Sequence, residues 1–243
     1  MRKSLVIGAT ALLLSLTACA PGATNDPVFE GAVQVCEPLE TGSASDQIKV
    51  TEGDAAPTAE FPTPLTSDVI ETKIIREGEG PVITGGQLVR AEYVGFNAGT
   101  GETIQSSKFD GSDMAAINLT EGAYPDFCHA LTGVKQGSLV AILLPPEFAH
   151  EEQGIPDLGV ATDQAVIFIL EIDKVYLPRA LGQAQAAQAG FPAVVLAPEG
   201  VPGVTVPKTS APTELKVATL IEGRGEVVAE DQLVTVHYSG FTW

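Results

Sequence analysis

The sequence predicts an α+β fold, in which one short helix packs on an antiparallel sheet, followed by an incomplete second copy of the same module. Three observations favour this fold class. The 243 residues include 25 glycines and 17 prolines, which divide the chain into short segments. These segments are rich in Val, Ile and Thr, as strands are, and one has apolar residues at helical spacing. A self-match at a constant offset of 145 residues, which places Pro57 on Pro202, indicates a repeat.

The strands and the helix of the first module are predicted by the spacing of their apolar residues. The first two strands alternate apolar and polar side chains, as half-buried strands do. The helix carries apolar residues at helical spacing and ends before Gly137. The last two strands are continuous apolar runs, which are typical of buried strands. In chain order the predicted elements are strands at 70–76 and 88–94, a helix at 123–134, and strands at 139–144 and 164–176.

The repeat continues without a gap from Pro57 to the last residue of the sequence. The first copy runs to about residue 178, whereas Trp243 aligns with Ala98. We therefore expect the sequence to be part of a longer tandem protein, with residues 233–238 a strand without its neighbours. Identical residues in register include Gln87-Leu-Val89 with Gln232-Leu-Val234, Tyr93 with Tyr238, and Gly95-Phe96 with Gly240-Phe241.

The composition is that of an acidic globular protein. Hydrophobic residues make up 44% and charged residues 18% of the chain, which is the balance of a folded domain rather than a disordered acidic tail. There are 31 acidic and 13 basic residues, giving a net charge of −18. Such a chain is repelled by phosphate and lacks the basic stripe that contacts a nucleic-acid backbone, so we expect no nucleic-acid partner.

The first 18 residues have the pattern of an export signal. Arg2 and Lys3 precede an apolar run, 5–16, that is too short to span a bilayer stably. The run ends in Leu16-Thr-Ala-Cys19, which resembles a bacterial lipobox, where cleavage precedes a cysteine that is then lipidated. The sequence predicts a lipid anchor at Cys19 and a location on the extracytoplasmic face of the cell membrane. An ordinary signal peptide is the alternative.

Two further cysteines, Cys36 and Cys128, would share an exported compartment in which disulfides persist. A bridge between them would tie the N-terminal arm to the first module, and two unpaired thiols are the alternative. The predicted regions are a signal peptide at 1–18, a tether and arm at 19–60, the first module at 61–178, a proline-marked linker at 179–212 and the opening of the second module at 213–243.

Short motifs of the first module, together with their order, are shared with a known family. They are Gly78-Glu-Gly80, Tyr93-Val-Gly95, Ile104-Gln-Ser-Ser107, Ala130-Leu-Thr-Gly-Val-Lys-Gln-Gly137, Leu144-Pro-Pro-Glu-Phe-Ala-His150 and Val166-Ile-Phe-Ile-Leu-Glu171. They resemble motifs of the FKBP-type peptidyl-prolyl cis-trans isomerases, the macrolide-binding immunophilins. The resemblance covers about 71–175, and Val236-His-Tyr-Ser-Gly240 extends it to the second copy.

The resemblance implies an antiparallel sheet wrapped around one short helix, with proline-containing polypeptides as substrates and a macrolide as a possible ligand. Rotation about an X–Pro bond meets a barrier of about 18–20 kcal/mol because amide resonance is lost in the twisted state. A pocket that holds the prolyl ring on apolar side chains and excludes water lowers that barrier. No nucleophile or metal is needed, so we expect neither a metal site nor a cofactor.

The family's pocket maps onto six residues of the first module. Aromatic positions are kept by Tyr93, Phe168 and Phe127, the last where the family has Trp. The family's Phe, Asp and Tyr are replaced by Ile104, Gln105 and His150. The alignment leaves open which of Met114, Ala115 and Ile117 faces the pocket. In the second copy, Tyr238 is the pocket residue that the sequence holds.

Two functions are compatible with this pattern. The first is an exported, membrane-anchored prolyl isomerase that assists protein folding outside the cytoplasm. The second is a catalytically weak or inactive binding or chaperone module that keeps the same fold. The replacements at Ile104, Gln105 and His150 favour the second function for the first copy, whereas the family-like opening of the second copy favours the first function.

Overall fold

The computed structural model describes residues 36–37, 42–53, 55–198 and 200–243. The predicted export signal and the predicted lipidation site, Cys19, lie outside these residues. Within the described ranges, no helix combines the length and the apolar character needed to cross a membrane.

Twelve short strands and two one-turn helices make up most of the regular structure of the described residues. The strands are β1 (Lys49–Thr51), β2 (Thr58–Glu60), β3 (Glu71–Arg76), β4 (Leu88–Asn97), β5 (Thr103–Ser106), β6 (Ala115–Asn118), β7 (Leu139–Leu144), β8 (Val166–Val175), β9 (Gln183–Ala184), β10 (Ala193–Leu196), β11 (Pro202–Thr205) and β12 (Ile221–Glu222). The helices are α1 (Phe127–Leu131) and α2 (Pro146–His150), and 3-10 turns lie at Ser45–Gln47 and Pro156–Leu158.

Strands β3 to β8 form one antiparallel sheet. Its order is β3-β7-β8-β4-β5, and β6 pairs with β4 beside β5. β4 is the central strand, because it pairs with β8 along one edge and with β5 and β6 along the other. An antiparallel sheet with few, short helices confirms the predicted fold class.

Both faces of the sheet are apolar. Side chains alternate between the two faces of a strand, and consecutive residues of β7 are all apolar. On one face Val140, Ile142 and Leu170 pack with α1. On the opposite face Leu143 and Ile167 pack with Ile48, which is fully buried and lies in the N-terminal arm. The sheet therefore has a helical layer on one side and a second layer, formed by the arm, on the other.

The described part of the predicted arm is a folded layer, and the predicted tether before it lies outside the described residues. β1 and β2 form an antiparallel hairpin in which Val50 pairs with Ala59. Both side chains, together with Phe61, pack on the sheet. Alternation within each three-residue strand places the apolar residue inward and charged or hydroxyl side chains outward, which is too short a pattern to identify from sequence.

Polar contacts and one covalent bond attach the arm to the first module. The buried carboxylate of Glu71 accepts hydrogen bonds from the Ser45 backbone N–H at 2.6 Å and from the Ser67 hydroxyl at 2.7 Å. The structure joins Cys36 to Cys128 of α1 through a disulfide, with the two Cα atoms 5.8 Å apart.

Helix α1 is shorter than the predicted helix at 123–134. It begins after Asp126, whose side chain accepts a hydrogen bond from the His129 backbone N–H at 3.1 Å and so acts as the N-cap. It ends at Thr132, whose hydroxyl donates to the Cys128 carbonyl at 2.7 Å. The sequence did not predict α2, which begins with Pro146 at its first position, because proline is also common there and not only at strand ends.

The residues after the first module form one hairpin and one two-residue strand pair. The predicted linker contains β10 and β11, which pair with each other, and β9 pairs with β12 of the predicted second copy. The predicted strand at 233–238 has no strand partner in the described chain, and Leu233 and Tyr238 are 98% and 90% exposed. Its counterpart β4 is held by three neighbouring strands, and those neighbours have no equivalent around 233–238.

Candidate functional site

Four half-buried side chains lie on the helix-covered face of the sheet. Tyr93 lies on β4, Ile104 on β5, Phe127 at the start of α1 and Phe168 on β8, and all four pack against the core beneath them. The rings of Phe127 and Phe168 are in edge contact, with centroids 5.1 Å apart and planes at 71°. We call these four side chains the aromatic cluster. The structure thus places four of the six residues that the sequence assigned to the pocket against one core, and it brings Phe127 and Phe168 into contact.

Gly95 forms the backbone floor beneath two members of the aromatic cluster. It pairs with Phe168 across the sheet. A Cβ atom at this position would lie 3.1 Å from the Phe168 ring and 3.2 Å from Ile104. Both side chains therefore rest on the glycine backbone, and a larger residue would displace at least one of them.

Ser107 fixes the backbone of Tyr93. Its hydroxyl oxygen accepts a hydrogen bond from the Tyr93 backbone N–H at 2.9 Å, and its own N–H donates to the Tyr93 carbonyl at 2.8 Å. Ser107 belongs to one of the shared motifs, but the sequence predicts no role for it. Only the structure shows that this buried serine pairs with the strand that carries the cluster.

A register shift places two predicted pocket residues beside Gly95. Pairing between β4 and β5 shifts between Gly95 and Phe96, so Ile104 is an extra residue in β5. Gln105 stands directly opposite Gly95 in the register, and its side chain is exposed. Gln105 thus lies at the solvent edge of the aromatic cluster rather than within it.

Strand β6 resolves the alternatives at 114–117. Ala115 and Ile117 pair with Ala91 and Val89 of β4, which share the face of Tyr93. The thioether of Met114 instead accepts a hydrogen bond from the Arg90 guanidinium at 3.1 Å, and Arg90 alternates with the residues on the cluster face. Ile117 packs against the same core as the cluster.

His150 is buried, and contacts within its own loop occupy both of its ring nitrogens. The backbone N–H of Gly154 donates to Nδ1 at 3.0 Å, so Nδ1 is the acceptor. Nε2 lies 2.9 Å from the Gln164 carbonyl, to which it must donate. These two contacts close the segment between α2 and β8. Both ring nitrogens thus have protein partners. A direct contact of His150 with a substrate stays a prediction.

The segment that His150 closes contributes three apolar side chains that were not predicted to belong to the site. Val160 is buried in the core on which the aromatic cluster rests, and Ile155 and Leu158 pack against it. They lie in a stretch otherwise rich in acidic and turn-forming residues, 151–163. Three apolar residues in such a stretch are the signal that could have identified them.

Two concave regions of the described chain lie away from the aromatic cluster. One, of about 270 Å³, lies beneath the β1–β2 loop and is lined by Glu52, Arg76 and Glu171. Hydrogen bonds to the Glu171 and Glu52 carboxylates raise the pKa of the Arg76 guanidinium above its ordinary value. The other, of about 290 Å³, has apolar walls. Its lining includes Phe191, Val194, Val204, Val206, Leu220 and Phe241.

The chemistry available at the aromatic cluster is apolar contact and exclusion of water. Half-buried rings can hold a flat, apolar ring of a ligand against the sheet. Within the described ranges, no group of three His, Cys, Asp or Glu side chains is arranged to hold a metal ion. The aromatic cluster offers apolar contact to a ligand ring.

The central part of the chain is similar to known proteins. Residues 80–173, about two fifths of the sequence, match the family model of the FKBP-type peptidyl-prolyl cis-trans isomerases. The chain is 26% identical over 116 residues to an FK506-binding protein of Streptomyces anulatus, and the match covers 48% of this chain and 94% of that protein.

Two further similarities each cover less than half of the chain. The peptidyl-prolyl cis-trans isomerase FKBP12 of Vicia faba is 24% identical over 106 residues, which are 42% of this chain and 95% of that protein. The crystal structure of a peptidyl-prolyl cis-trans isomerase from Pseudomonas syringae aligns with a TM-score of 0.39 at 21% identity, over 46% of this chain and 78% of that one.

Proposed function

From the premise that residues 80–173 form a domain of the FKBP-type peptidyl-prolyl cis-trans isomerase family, we propose that the chain isomerises X–Pro bonds at the aromatic cluster. The edge contact of Phe127 with Phe168, 5.1 Å between centroids, carries this assignment. Together with Tyr93 and Ile104, which pack against the same core, these rings offer an apolar surface on which a prolyl ring can be held.

The physical basis is preferential binding of the twisted imide. The planar imide is stabilised by resonance and by water on its carbonyl, and both are weakened when the prolyl ring sits on apolar side chains. Only contacts that are stronger in the twisted state accelerate the reaction, and each 1.4 kcal/mol gained there raises the rate about tenfold. The cluster needs neither a proton donor nor a metal for this step.

The polar surroundings of the cluster support a modest rate. His150 donates its Nε2 proton to Gln164, and Gln105 lies at the exposed edge. A substrate carbonyl therefore has few fixed donors to meet. These two features also favour the alternative function, a binding or chaperone module of low activity.

An isomerisation assay on the full chain with a proline-containing peptide separates the two functions. We expect catalysis above the spontaneous rate. Phe127→Ala should lower kcat/KM at least tenfold, which corresponds to a loss of about 1.4 kcal/mol in the transition state. Tyr238→Ala, in the exposed segment, is the matched control and should leave the rate unchanged.

The contrary results are equally clear. Absence of catalysis, combined with suppression of client aggregation by the same protein, would establish the chaperone function instead. A macrolide would occupy the same aromatic cluster and inhibit catalysis, whereas a rate that is insensitive both to a macrolide and to Phe127→Ala would place the activity elsewhere.

Export and membrane anchoring form the finer part of the proposal. The lipobox-like Leu16-Thr-Ala-Cys19 supports a lipid anchor, and the Cys36–Cys128 disulfide is consistent with an oxidising compartment. Mass spectrometry of the N-terminal peptide from cell membranes should find Cys19 acylated, and Cys19→Ala should release the protein from the membrane. An N-terminus beginning upstream of Cys19 would refute the anchor.

A further inference from the structure

Helix α1 places Phe127 in the aromatic cluster, yet it cannot maintain its own position. It has five residues, Phe127–Leu131, and a helix of that length is not stable alone because its first turn is costly to form. The location of Phe127 therefore depends on contacts from outside the helix.

Those contacts hold the two ends of α1 in different ways. At its far end, Ala130 accepts a hydrogen bond from the Thr72 hydroxyl at 2.7 Å, and Leu131 is fully buried. At its near end, the residue directly after Phe127 is Cys128, which is covalently bound to Cys36. Both cysteines are buried in the core on which the aromatic cluster rests.

We propose that the Cys36–Cys128 disulfide is a positioning element of the isomerase site, so that the site is complete only in the oxidised protein. The inference rests on the proposed function. Cys36 lies before residue 80, where the family match begins. The N-terminal arm thus supplies part of the scaffold of the site, and a domain cut at residue 80 would lack it.

The experiment compares the oxidised and reduced full chain. A phosphine reductant breaks the Sγ–Sγ bond and leaves two thiols, the phosphine becoming its oxide as it supplies two electrons and water supplies the two protons. Circular dichroism establishes that the reduced chain remains folded at the assay temperature. We expect kcat/KM to fall at least fivefold, mainly through a higher KM, and to recover on reoxidation.

A structural readout separates failure of this proposal from failure of the proposed function. Nuclear Overhauser contacts between the Phe127 and Phe168 rings should weaken on reduction, whether or not the chain is an enzyme. Unchanged ring contacts, or kcat/KM within twofold of the oxidised value, would overturn the positioning role. If the ring contacts weaken on reduction but the oxidised chain does not catalyse isomerisation, only the proposed function is refuted.

Two variants guard against general loss of stability. Ile48→Ala weakens the layer on the opposite face of the sheet and should leave kcat/KM within twofold at temperatures where it is folded. Asp126→Ala removes the N-cap of α1 but keeps the disulfide, and we expect less than a threefold loss. This variant decides the question if the reduced chain unfolds, because a tenfold loss would show that the cap, and not the disulfide, places Phe127.

Discussion

Two hairpins of similar build lie 145 residues apart in this chain, and only one of them covers a sheet. Residues 49–51 and 58–60, moved by that offset, fall within β10 and β11. Val50 pairs with Ala59 in the first hairpin, and Val194 pairs with Val204 in the second. A hairpin thus occurs in both regions, but the register differs by one residue, because the offset places Val50 on Val195, which pairs with Gly203. The sequence predicted an arm for the first region and a linker for the second.

The difference lies in what each hairpin meets. In the first region Val50, Ala59 and Phe61 pack on β7 and β8. In the second region Val194, Val204 and Val206 line an open apolar cavity of about 290 Å³, and Val195, the counterpart of Val50, is 73% exposed. A two-stranded hairpin is local in sequence, whereas the surface that it covers comes from strands far along the chain. A hairpin therefore contributes to the stability of the fold only where those strands are present.

Ile48→Ala should have the largest effect on this comparison. The side chain is fully buried between the arm and the sheet, so its removal leaves a cavity and should lower the free energy of unfolding by about 2–5 kcal/mol. Val195→Ala in the second hairpin, where the side chain is 73% exposed, should change it by less than about 0.5 kcal/mol. Equal losses in urea unfolding would show that both hairpins are covered.

Gly78→Ala tests a turn that the repeat shares with Gly223. A Cβ atom at residue 78 would collide with the backbone of Gln136 and Ser138, which cannot move aside. We expect a loss of about 1–3 kcal/mol in the free energy of unfolding. At residue 223 a Cβ atom would have no heavy atom within 4 Å, so Gly223→Ala should be neutral. A neutral Gly78→Ala would contradict the close approach of these turns.

Gly95→Ala should have a smaller effect, on activity rather than on stability. The new methyl group would press on Phe168 and Ile104, and shifting a ring from its preferred rotamer costs on the order of 1 kcal/mol. This cost corresponds to a fall in kcat/KM of about fivefold. Gly240→Ala, at the aligned position with open space around it, is the control. Equal activity of both variants would exclude Gly95 as the floor of the site.

The parts of the fold that follow from local patterns were predictable. The β7 run of six apolar residues matches its predicted bounds, and β4 and β8 were recognised by their apolar side chains. The short helix was placed correctly but predicted too long. Apolar spacing does not show that Asp126, the fourth residue of the predicted helix, is the N-cap of the observed one. The segment at 233–238 has a strand's sequence without a strand's partners.

The site was predictable where it depends on residue type and not where it depends on contacts. Aromatic residues at Tyr93, Phe127 and Phe168 identify the cluster. The sequence could not show that two backbone groups occupy the ring nitrogens of His150, because one partner lies 14 residues away. Nor could it show that a single-residue shift in β5 leaves Gln105 exposed.

Titration of the full chain with a proline-containing peptide, followed by NMR at backbone amides, tests the central assignment most directly. If the aromatic cluster is the isomerase site, the cis and trans forms of the peptide should exchange on the enzyme. We also expect the chemical-shift changes of backbone amides to be concentrated at Tyr93, Phe127 and Phe168, with no change at Tyr238. Shifts concentrated at the cavity around Phe241, or catalysed exchange without any shift at the aromatic cluster, would contradict this assignment.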